Sequence, residues 1–418
     1  MKLKLLPPKS IRPEQVFMLS ALFVNAGNYL YNLIVGRILG PTAFADAAIL
    51  ITFLLVLSFV AMTFQLVTAK YTVIFDDEIE KSFIHLITKR TLIAGIIFGV
   101  IIVLSSGYLQ QIFNTSTSSM FLIFGLGVPI YFLMSVNRGV FQGNKKFVDL
   151  SITYQAEMLS RLIITLFLLY ILSNIQSSVI IATGILISLF FSLFPFTLKK
   201  AFKPTLQLNE AEKKLVMKFF ILTAFYECTQ IIINNSDILL VKHYFDNYKA
   251  GLYASLALIG RVVYFVAWMF VMLLLPAVVN KEKEGLPHGS ILLKYVGYIT
   301  VLSFTIVLGS YLFPEFVVNV LFGEAYVAIA PLLWKYALAT SIFAISNVFA
   351  YYFLSIDQYI PVVITGVLGI TQVLLIIYFH NSLEEVVIVQ ILAMLVLLIV
   401  QLFFFFFKTY RKKKTELQ

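Results

Sequence analysis

The chain is built largely from apolar stretches about as long as a membrane-spanning helix, and these stretches restrict its fold more than any other feature. Hydrophobic residues make up 60% of the 418 residues and charged residues only 12%. A soluble domain is nearer half apolar and about a quarter charged. The excess of apolar side chains has to face lipid rather than water, so the sequence predicts an all-α integral membrane protein.

About twelve stretches reach the roughly 20 residues that a helix needs to cross a bilayer. Polar turns such as Gly40-Pro41 and Asp246-Asn247 separate them. The first stretch follows a basic N-terminus, as in a secretory signal, but it is too long for one. We therefore interpret it as a retained transmembrane helix. The predicted spans lie at about 14–36, 44–69, 86–109, 118–141, 147–172, 176–198, 213–242, 250–280, 289–312, 328–354, 359–380 and 384–407.

Lysine and arginine are concentrated in alternate loops, which predicts the orientation of the chain. Cytoplasmic loops carry an excess of these residues, and an even number of spans returns the chain to its starting side. We expect both termini in the cytoplasm and the protein in the cytoplasmic (inner) membrane. The net charge of +10 then reflects topology and contact with membrane lipids, not binding of nucleic acid. The predicted inner side holds Lys2, Lys4, Lys9, Arg12, Lys70, Lys81, Lys89, Arg90, Arg138, Lys145, Lys146, the basic linker at 199–212, Lys281, Lys283, Lys408 and 411–414, and the outer side little beyond Arg37, Lys242 and Lys249.

The two halves of the chain share one plan. A basic linker at 199–212 separates an N-terminal six-helix lobe at 1–198 from a C-terminal six-helix lobe at 213–418. Asparagines inside a span, a polar turn and a helix start rich in small residues occur at 25–50 and again at 232–258. Many secondary transporters are built from repeated helix bundles. We therefore predict two pseudo-repeated lobes and a transport function.

Three stretches resemble motifs of the polysaccharide flippases of the MOP (multidrug/oligosaccharidyl-lipid/polysaccharide) superfamily. They are GRILGPTAFADAA at 36–48, RGVFQGNKKF at 138–147 and VLFGEAYVAIAPLL at 320–333. The resemblance implies a MATE-like architecture of two lobes around a central cavity. It also implies alternating-access translocation of an oligosaccharide linked to a polyprenyl diphosphate, for O-antigen, capsule or exopolysaccharide. A polysaccharide polymerase and glycosyltransferases are the candidate protein partners.

Arginines predicted inside the membrane are the first candidates for a binding site. A charge at the bilayer centre costs roughly 2.5–3.5 kcal/mol on insertion scales, so it tends to face a cavity or a partner. Arg161 and Arg261 are expected near the middle of their helices, and a guanidinium binds phosphate oxygens in bidentate fashion. We predict that both bind substrate. Arg161 can instead form a local ion pair with Glu157, four residues away on one helix face.

Four further polar residues are predicted to bind substrate: Arg37, Lys335, Asn25 and Asn28. The asparagines can bind sugar hydroxyls, or they can form hydrogen bonds between helices. The lysine can face a cavity, or its ammonium group can snorkel to the membrane interface. The sequence leaves these alternatives open.

Four carboxyl groups are candidates for coupling-ion binding or gating: Glu227, Asp237, Asp46 and Glu157. Burial disfavours the charged form of a carboxyl group, which allows proton exchange near neutral pH. Glu227 or Asp237 is also a candidate ion-pair partner for Arg261, which has no acidic residue three or four positions away.

The sequence contains no Walker loop, dinucleotide fingerprint or nucleophile elbow, and its four histidines lack metal-ligand spacing. The acidic stretch FDDEIE at 75–80 is interpreted as a solvated loop rather than a magnesium site. We expect a non-enzymatic protein without metal or cofactor. The main alternative function is a MATE-type, cation-coupled exporter of small organic cations, which would favour an acidic, aromatic cavity over arginine. A membrane-embedded glycosyltransferase or polymerase would usually need a larger outer loop.

Overall fold

The computed structural model describes residues 13–172, 174–198, 208–264, 266–267, 270, 274, 278, 281, 284, 286–356, 358 and 360–416. In this part of the chain every regular element is a helix, with thirteen α-helices, one 3-10 helix and no strand. The prediction of an all-α protein is confirmed. The predicted basic N-terminus at 1–12, most of the linker at 199–212 and part of the span at 250–280 lie outside the described residues.

The described helices follow the apolar stretches of the sequence, with three short helices (α3, α10 and the 3-10 helix) between them. They are α1 (Pro13–Ile74), α2 (Asp77–Leu104), α3 (Ser106–Ile112), α4 (Ser119–Gly143), α5 (Phe147–Ile171), α6 (Ser177–Phe191), α7 (Glu210–Tyr244), α8 (Asn247–Gly260), α9 (Gly289–Leu312), α10 (Pro314–Phe322), the 3-10 helix Glu324–Leu332, α11 (Leu333–Ser355), α12 (Ile360–Tyr378) and α13 (Leu383–Glu416).

Nine helical segments in the described part of the chain are long and apolar enough to cross a membrane. One of them, α1, contains the first two predicted spans, and α6 is a shorter apolar helix. The nine segments contain ten of the predicted spans, because α1 contains two. The remaining two correspond to α6 and to α8 with the helical residues that follow it. The protein is therefore a multi-pass membrane protein.

A kink at Gly40 divides α1 into its two spans. Gly40 has φ 70° and ψ 170°, a region that is essentially restricted to glycine. Pro41 follows and has no N–H to donate to the preceding turn. The chain therefore changes direction here between two helical spans, at the turn that the sequence predicted.

The chain forms two compact units. Among the described residues, the first comprises 13–32, Leu57–Gln111 and Ser116–Ala224, and the second comprises Leu33–Val56, Ile112–Thr115 and the residues from Phe225 onward. Each unit has its own aromatic core, with Phe64 against Phe132 in the first and Phe349 against Phe405 in the second, at ring-centroid distances of 5.6 and 5.7 Å. The predicted lobe boundaries at 198 and 213 stay a prediction.

Candidate functional site

Buried charges in the first unit meet where α4 and α5 face each other. Arg138 of α4 donates from Nη2 to Oε2 of Glu157 on α5 at 2.8 Å. Nη1 of Arg161, one turn further along α5, is 3.4 Å from Oε1 of the same carboxylate. None of the three side chains is more than 11% exposed. The predicted pair of Glu157 and Arg161 is therefore present, and we call the three residues the arginine cluster.

Further contacts hold each guanidinium group of the arginine cluster in one orientation. Arg138 donates to the hydroxyl and the carbonyl oxygen of Thr153, both at 3.0 Å, and lies 3.7 Å above the ring of Tyr154. Arg161 donates from Nη2 to Oδ1 of Asn28 at 2.7 Å. The cluster brings two cations to one anion, so it carries an excess positive charge that an anionic ligand can neutralise.

The position of Arg138 corrects one prediction. The sequence grouped it with the cytoplasmic loops because it lies near the end of an apolar stretch, within RGVFQGNKKF. The structure places it inside α4, which continues to Gly143, with only 3% of the residue exposed. Its burial is possible because Glu157 on the next helix supplies a counter-charge, which a count of charges in loops does not detect.

In the second unit, Asp237 of α7 is the centre of a buried hydrogen-bond network. Arg261, just after α8, donates from Nη2 to Oδ1 of Asp237 at 2.8 Å. Tyr336 and Tyr253 donate to Oδ2 at 2.8 and 3.2 Å, and Gln390 donates to the hydroxyl of Tyr253 at 2.8 Å. Of the two partners that the sequence left open for Arg261, the structure selects Asp237. Both oxygens of this carboxylate are occupied.

A cavity of about 30 Å³ borders this network, and Asn234, Arg261, Tyr264 and Gln372 are among its lining residues. The side-chain oxygen of Gln372 is buried without a hydrogen-bond partner. A space of this size holds about one or two water molecules. It is far too small for an oligosaccharide, so it does not by itself form a substrate site.

A second buried ion pair in this unit joins Asp46, early in the second span of α1, to Lys242 in the last turn of α7. The distance from Nζ to Oδ1 is 2.9 Å, and the residues are 4% and 1% exposed. The same ammonium group donates to the carbonyl oxygen of Asn114 at 3.3 Å and to Oδ1 of Asn247. The sequence had assigned Lys242 to an outer loop. The structure places it instead in the last turn of α7, buried against Asp46, and the side of the membrane stays a prediction.

Of the four further residues predicted to bind substrate, three lie apart from these clusters. Arg37 is exposed and donates to the carbonyl oxygen of Val320 at 3.1 Å. Lys335 pairs with the half-exposed Glu384, and Asn25 is exposed on α1. Asn28 alone among these four joins a buried charge cluster. Their predicted role in binding substrate stays a prediction.

The arginine cluster is the arrangement best suited to bind an anion, because its guanidinium groups are fixed donors in a buried place. Arginine binds phosphate through two parallel hydrogen bonds, and such charge-assisted bonds are about twice as strong as neutral ones. Within the described residues, no group of three or more His, Cys, Asp or Glu side chains lies close enough together to hold a metal ion.

Solved structures of transporters share this fold. A multidrug resistance transporter of the MATE family and the MOP superfamily, in an inward-facing conformation, matches with a TM-score of 0.75 at 13% identity over 90% of this chain and 93% of that chain. The lipid II flippase MurJ, in an inward closed conformation, matches with a TM-score of 0.74 at 14% identity over 93% and 87%. No curated protein matches the chain significantly by sequence.

The chain is thus a multi-pass membrane protein with a MATE-like fold. Residues 34–331 match the sequence profile of the family described as polysaccharide biosynthesis protein. The match covers well over half of the chain, so the protein belongs to that family. The resemblance predicted from the three motifs is confirmed at the level of family and fold.

Proposed function

We propose that the protein is a flippase that moves an oligosaccharide linked to a polyprenyl diphosphate across the cytoplasmic membrane by alternating access. Membership of the polysaccharide biosynthesis family supports a glycan substrate. The fold, shared with a lipid II flippase, supports the movement of a lipid-linked molecule. Transport makes and breaks no covalent bond, so the protein acts as a transporter without catalytic residues or cofactor. Both termini are cytoplasmic, and the polymerase and glycosyltransferases of the same glycan are its partners.

The observation that supports this proposal most is the excess positive charge of the arginine cluster. Keeping two guanidinium groups at one carboxylate inside a membrane protein is costly. A diphosphate linker would neutralise the positive charge that Glu157 leaves uncompensated, while the cluster is open to substrate. Arg138 and Arg161 are the residues we assign to the anionic linker, with Glu157 holding them in place. A small organic cation would be repelled there.

Coupling to an ion gradient is proposed at Glu227. Three of the four candidate carboxyl groups, Asp46, Glu157 and Asp237, each form an ion pair with a lysine or an arginine. Glu227 on α7 is 9% exposed, and no described residue forms an ion pair with it. A buried charge is costly unless it is paired. This favours Glu227 as the group that binds a proton or a sodium ion while it is enclosed.

Headgroup translocation in proteoliposomes tests the proposal. A lipid-linked oligosaccharide is reconstituted with the purified protein, and its exposure in the outer leaflet is followed with an impermeant glycosidase. We expect exposure that depends on the protein and falls about tenfold or more in Arg161→Gln, because a hydrogen bond to a charged group contributes roughly 1.5–3 kcal/mol.

The matched control is Lys213→Gln on α7, which removes a cation from the surface ion pair with Glu210. This variant should retain the full rate. No exposure of any lipid-linked glycan, together with uptake of a small organic cation, would contradict the proposal and favour the MATE-type exporter.

A further inference from the structure

Two stretches from the first half of the sequence belong to the second unit. They are Leu33–Val56, which contains the kink of α1, and Ile112–Thr115, which follows α3. Most of their sequence neighbours belong to the first unit. The two stretches are therefore held in the second unit by contacts with residues that are distant in the sequence.

The first attachment is the buried ion pair of Asp46 and Lys242. Lys242 binds both stretches at once, through the carboxylate of Asp46 at 2.9 Å and through the carbonyl oxygen of Asn114 at 3.3 Å. Its remaining partner is the side chain of Asn247 at the start of α8. We call these four residues the Asp46–Lys242 cluster. One ammonium group thus joins four segments of the chain.

The second attachment joins α1 to α10 and to the 3-10 helix that follows it. The hydroxyl of Tyr326 donates to the carbonyl oxygen of Gly36 at 2.7 Å, and Arg37 donates to the carbonyl oxygen of Val320 at 3.1 Å. Both acceptors are main-chain oxygens, and such oxygens are readily satisfied by water as well. These bonds can therefore break without leaving an acceptor unpaired when water enters.

A buried ion pair is poorly suited to a permanent attachment. The cost of removing two charges from water offsets much of their attraction, and well-packed apolar residues often stabilise a fold as much or more. When such a pair separates into water, both charges regain their hydration. The ion pair itself then contributes little net free energy to the attachment, which suits a reversible contact.

We propose that the Asp46–Lys242 cluster is a releasable attachment whose ion pair breaks once in every transport cycle. On release, Leu33–Val56 and Ile112–Thr115 separate from the corner between α7 and α8. The inference rests on the proposed function, because an alternating-access transporter has to open and close around its substrate. Asp46 and Lys242 are positioning residues, which control the movement without touching the substrate.

Cross-linking across the attachment tests whether release is needed. In a Cys228→Ser background, Phe44→Cys and Phe322→Cys replace two rings whose centroids are 5.8 Å apart. We expect oxidation of this pair to abolish flipping and reduction to restore it. The control pair is Phe349→Cys with Phe405→Cys, whose ring centroids are 5.7 Å apart within the core of the second unit. Oxidation of this pair should leave the flipping rate unchanged. Disulfide formation is verified by mass spectrometry, and flipping at an unchanged rate in the disulfide-linked first pair would overturn the proposal.

Cysteine labelling tests the same inference without any transport measurement, so it distinguishes failure of the attachment from failure of the flippase. Ala45→Cys, 2% exposed beside Asp46, reports release through its reaction with a small maleimide. We expect Asp46→Asn to raise the labelling rate about tenfold or more, because it leaves the buried ammonium group without a counter-charge. Adding Lys242→Met should lower the rate again. Equal labelling rates for Ala45→Cys alone, with Asp46→Asn and with both substitutions would overturn the proposal.

A buried position in the first unit provides the control for unfolding. Ala182→Cys in α6, 0% exposed, should stay unlabelled with Asp46→Asn and with the double substitution. Labelling at position 182 as well would mean general unfolding and would contradict a release that is confined to the two attached stretches.

Discussion

Glu157 compensates two buried guanidinium groups with a single carboxylate. Its oxygens are 2.8 Å from Arg138 and 3.4 Å from Arg161. Removing one member of a buried charge network is strongly destabilising, because the partners keep their charges but lose the compensating one. The stability of the first unit therefore depends on this side chain.

Replacing Glu157 by glutamine should lower the unfolding free energy by about 3–5 kcal/mol. The amide keeps the shape of the side chain but leaves both arginines without a counter-charge. Thermal unfolding of the purified protein in detergent measures the effect. Glu210→Gln, which removes the carboxylate of the surface pair with Lys213, is the control and should leave the midpoint unchanged. Equal midpoints in both variants would contradict this account of the cluster.

Replacing Arg161 by lysine tests geometry separately from charge. Arg161 uses two different nitrogens, Nη1 toward Glu157 and Nη2 toward Asn28. A lysine carries one nitrogen and lacks the planar fork that binds phosphate in bidentate fashion. We expect Arg161→Lys to retain most of the stability and to lose about tenfold or more of the flipping rate. Full activity in this variant would show that charge alone is sufficient.

At the level of single residues, sequence separation decided what could be predicted. Glu157 and Arg161 are four residues apart on one helix, so their pair follows from helix geometry. Asp46 and Lys242 are 196 positions apart (242 − 46), and a contact over that distance leaves no local pattern. For Arg261 the sequence supplied two candidate partners, and only the packing of α7 against the end of α8 selects Asp237.

At the level of the helices, two glycines shape the kink of α1 and its contact with α8, each for a different reason. Gly40 needs its positive φ, although a Cβ there would have open space around it. Gly251 in α8 has an ordinary helical conformation, but a Cβ there would lie 1.8 Å from the carbonyl oxygen of Pro41. The kink of α1 therefore packs against α8 at a distance that only glycine allows.

Gly251→Ala should destabilise the second unit, because the added methyl group forces α8 away from Pro41. Overpacking of this kind costs typically 1–3 kcal/mol. Gly309→Ala in α9, where a Cβ would meet no atom within 4 Å, is the matched control. It should be neutral or slightly stabilising, since alanine favours a helix. Thermal unfolding of both variants decides the matter, and an unaltered midpoint for Gly251→Ala would contradict the close packing.

The membrane spans were predictable because length and apolarity are local properties of the sequence. The Gly40-Pro41 turn was recognised from its local sequence as well, and it separates the first two spans. The short helices α3 and α10 were missed, since seven and nine residues are too few to produce a clear periodic signal. The burial of Lys242 was missed because its counter-charge, Asp46, lies far away in the sequence.

For the whole molecule, coupling at Glu227 predicts a specific response to ion gradients. In wild-type proteoliposomes an imposed proton or sodium gradient should change the flipping rate. Glu227→Gln should flip at a rate that the gradient does not alter, because an amide binds neither ion as a carboxylate does. Glu315→Gln, at an exposed position in α10, should behave as wild type. A response to the gradient that survives in Glu227→Gln would place coupling elsewhere.

We propose that the arginine cluster recognises the anionic linker of a lipid-bound glycan. The most direct measurement compares the flipping of two lipids with the same glycan and the same polyprenyl chain, one joined by a diphosphate and one by a monophosphate. The account predicts faster flipping of the diphosphate in wild type and loss of that preference in Arg138→Gln and Arg161→Gln. Equal rates for both lipids in wild type, or a preference that survives in both variants, would contradict it.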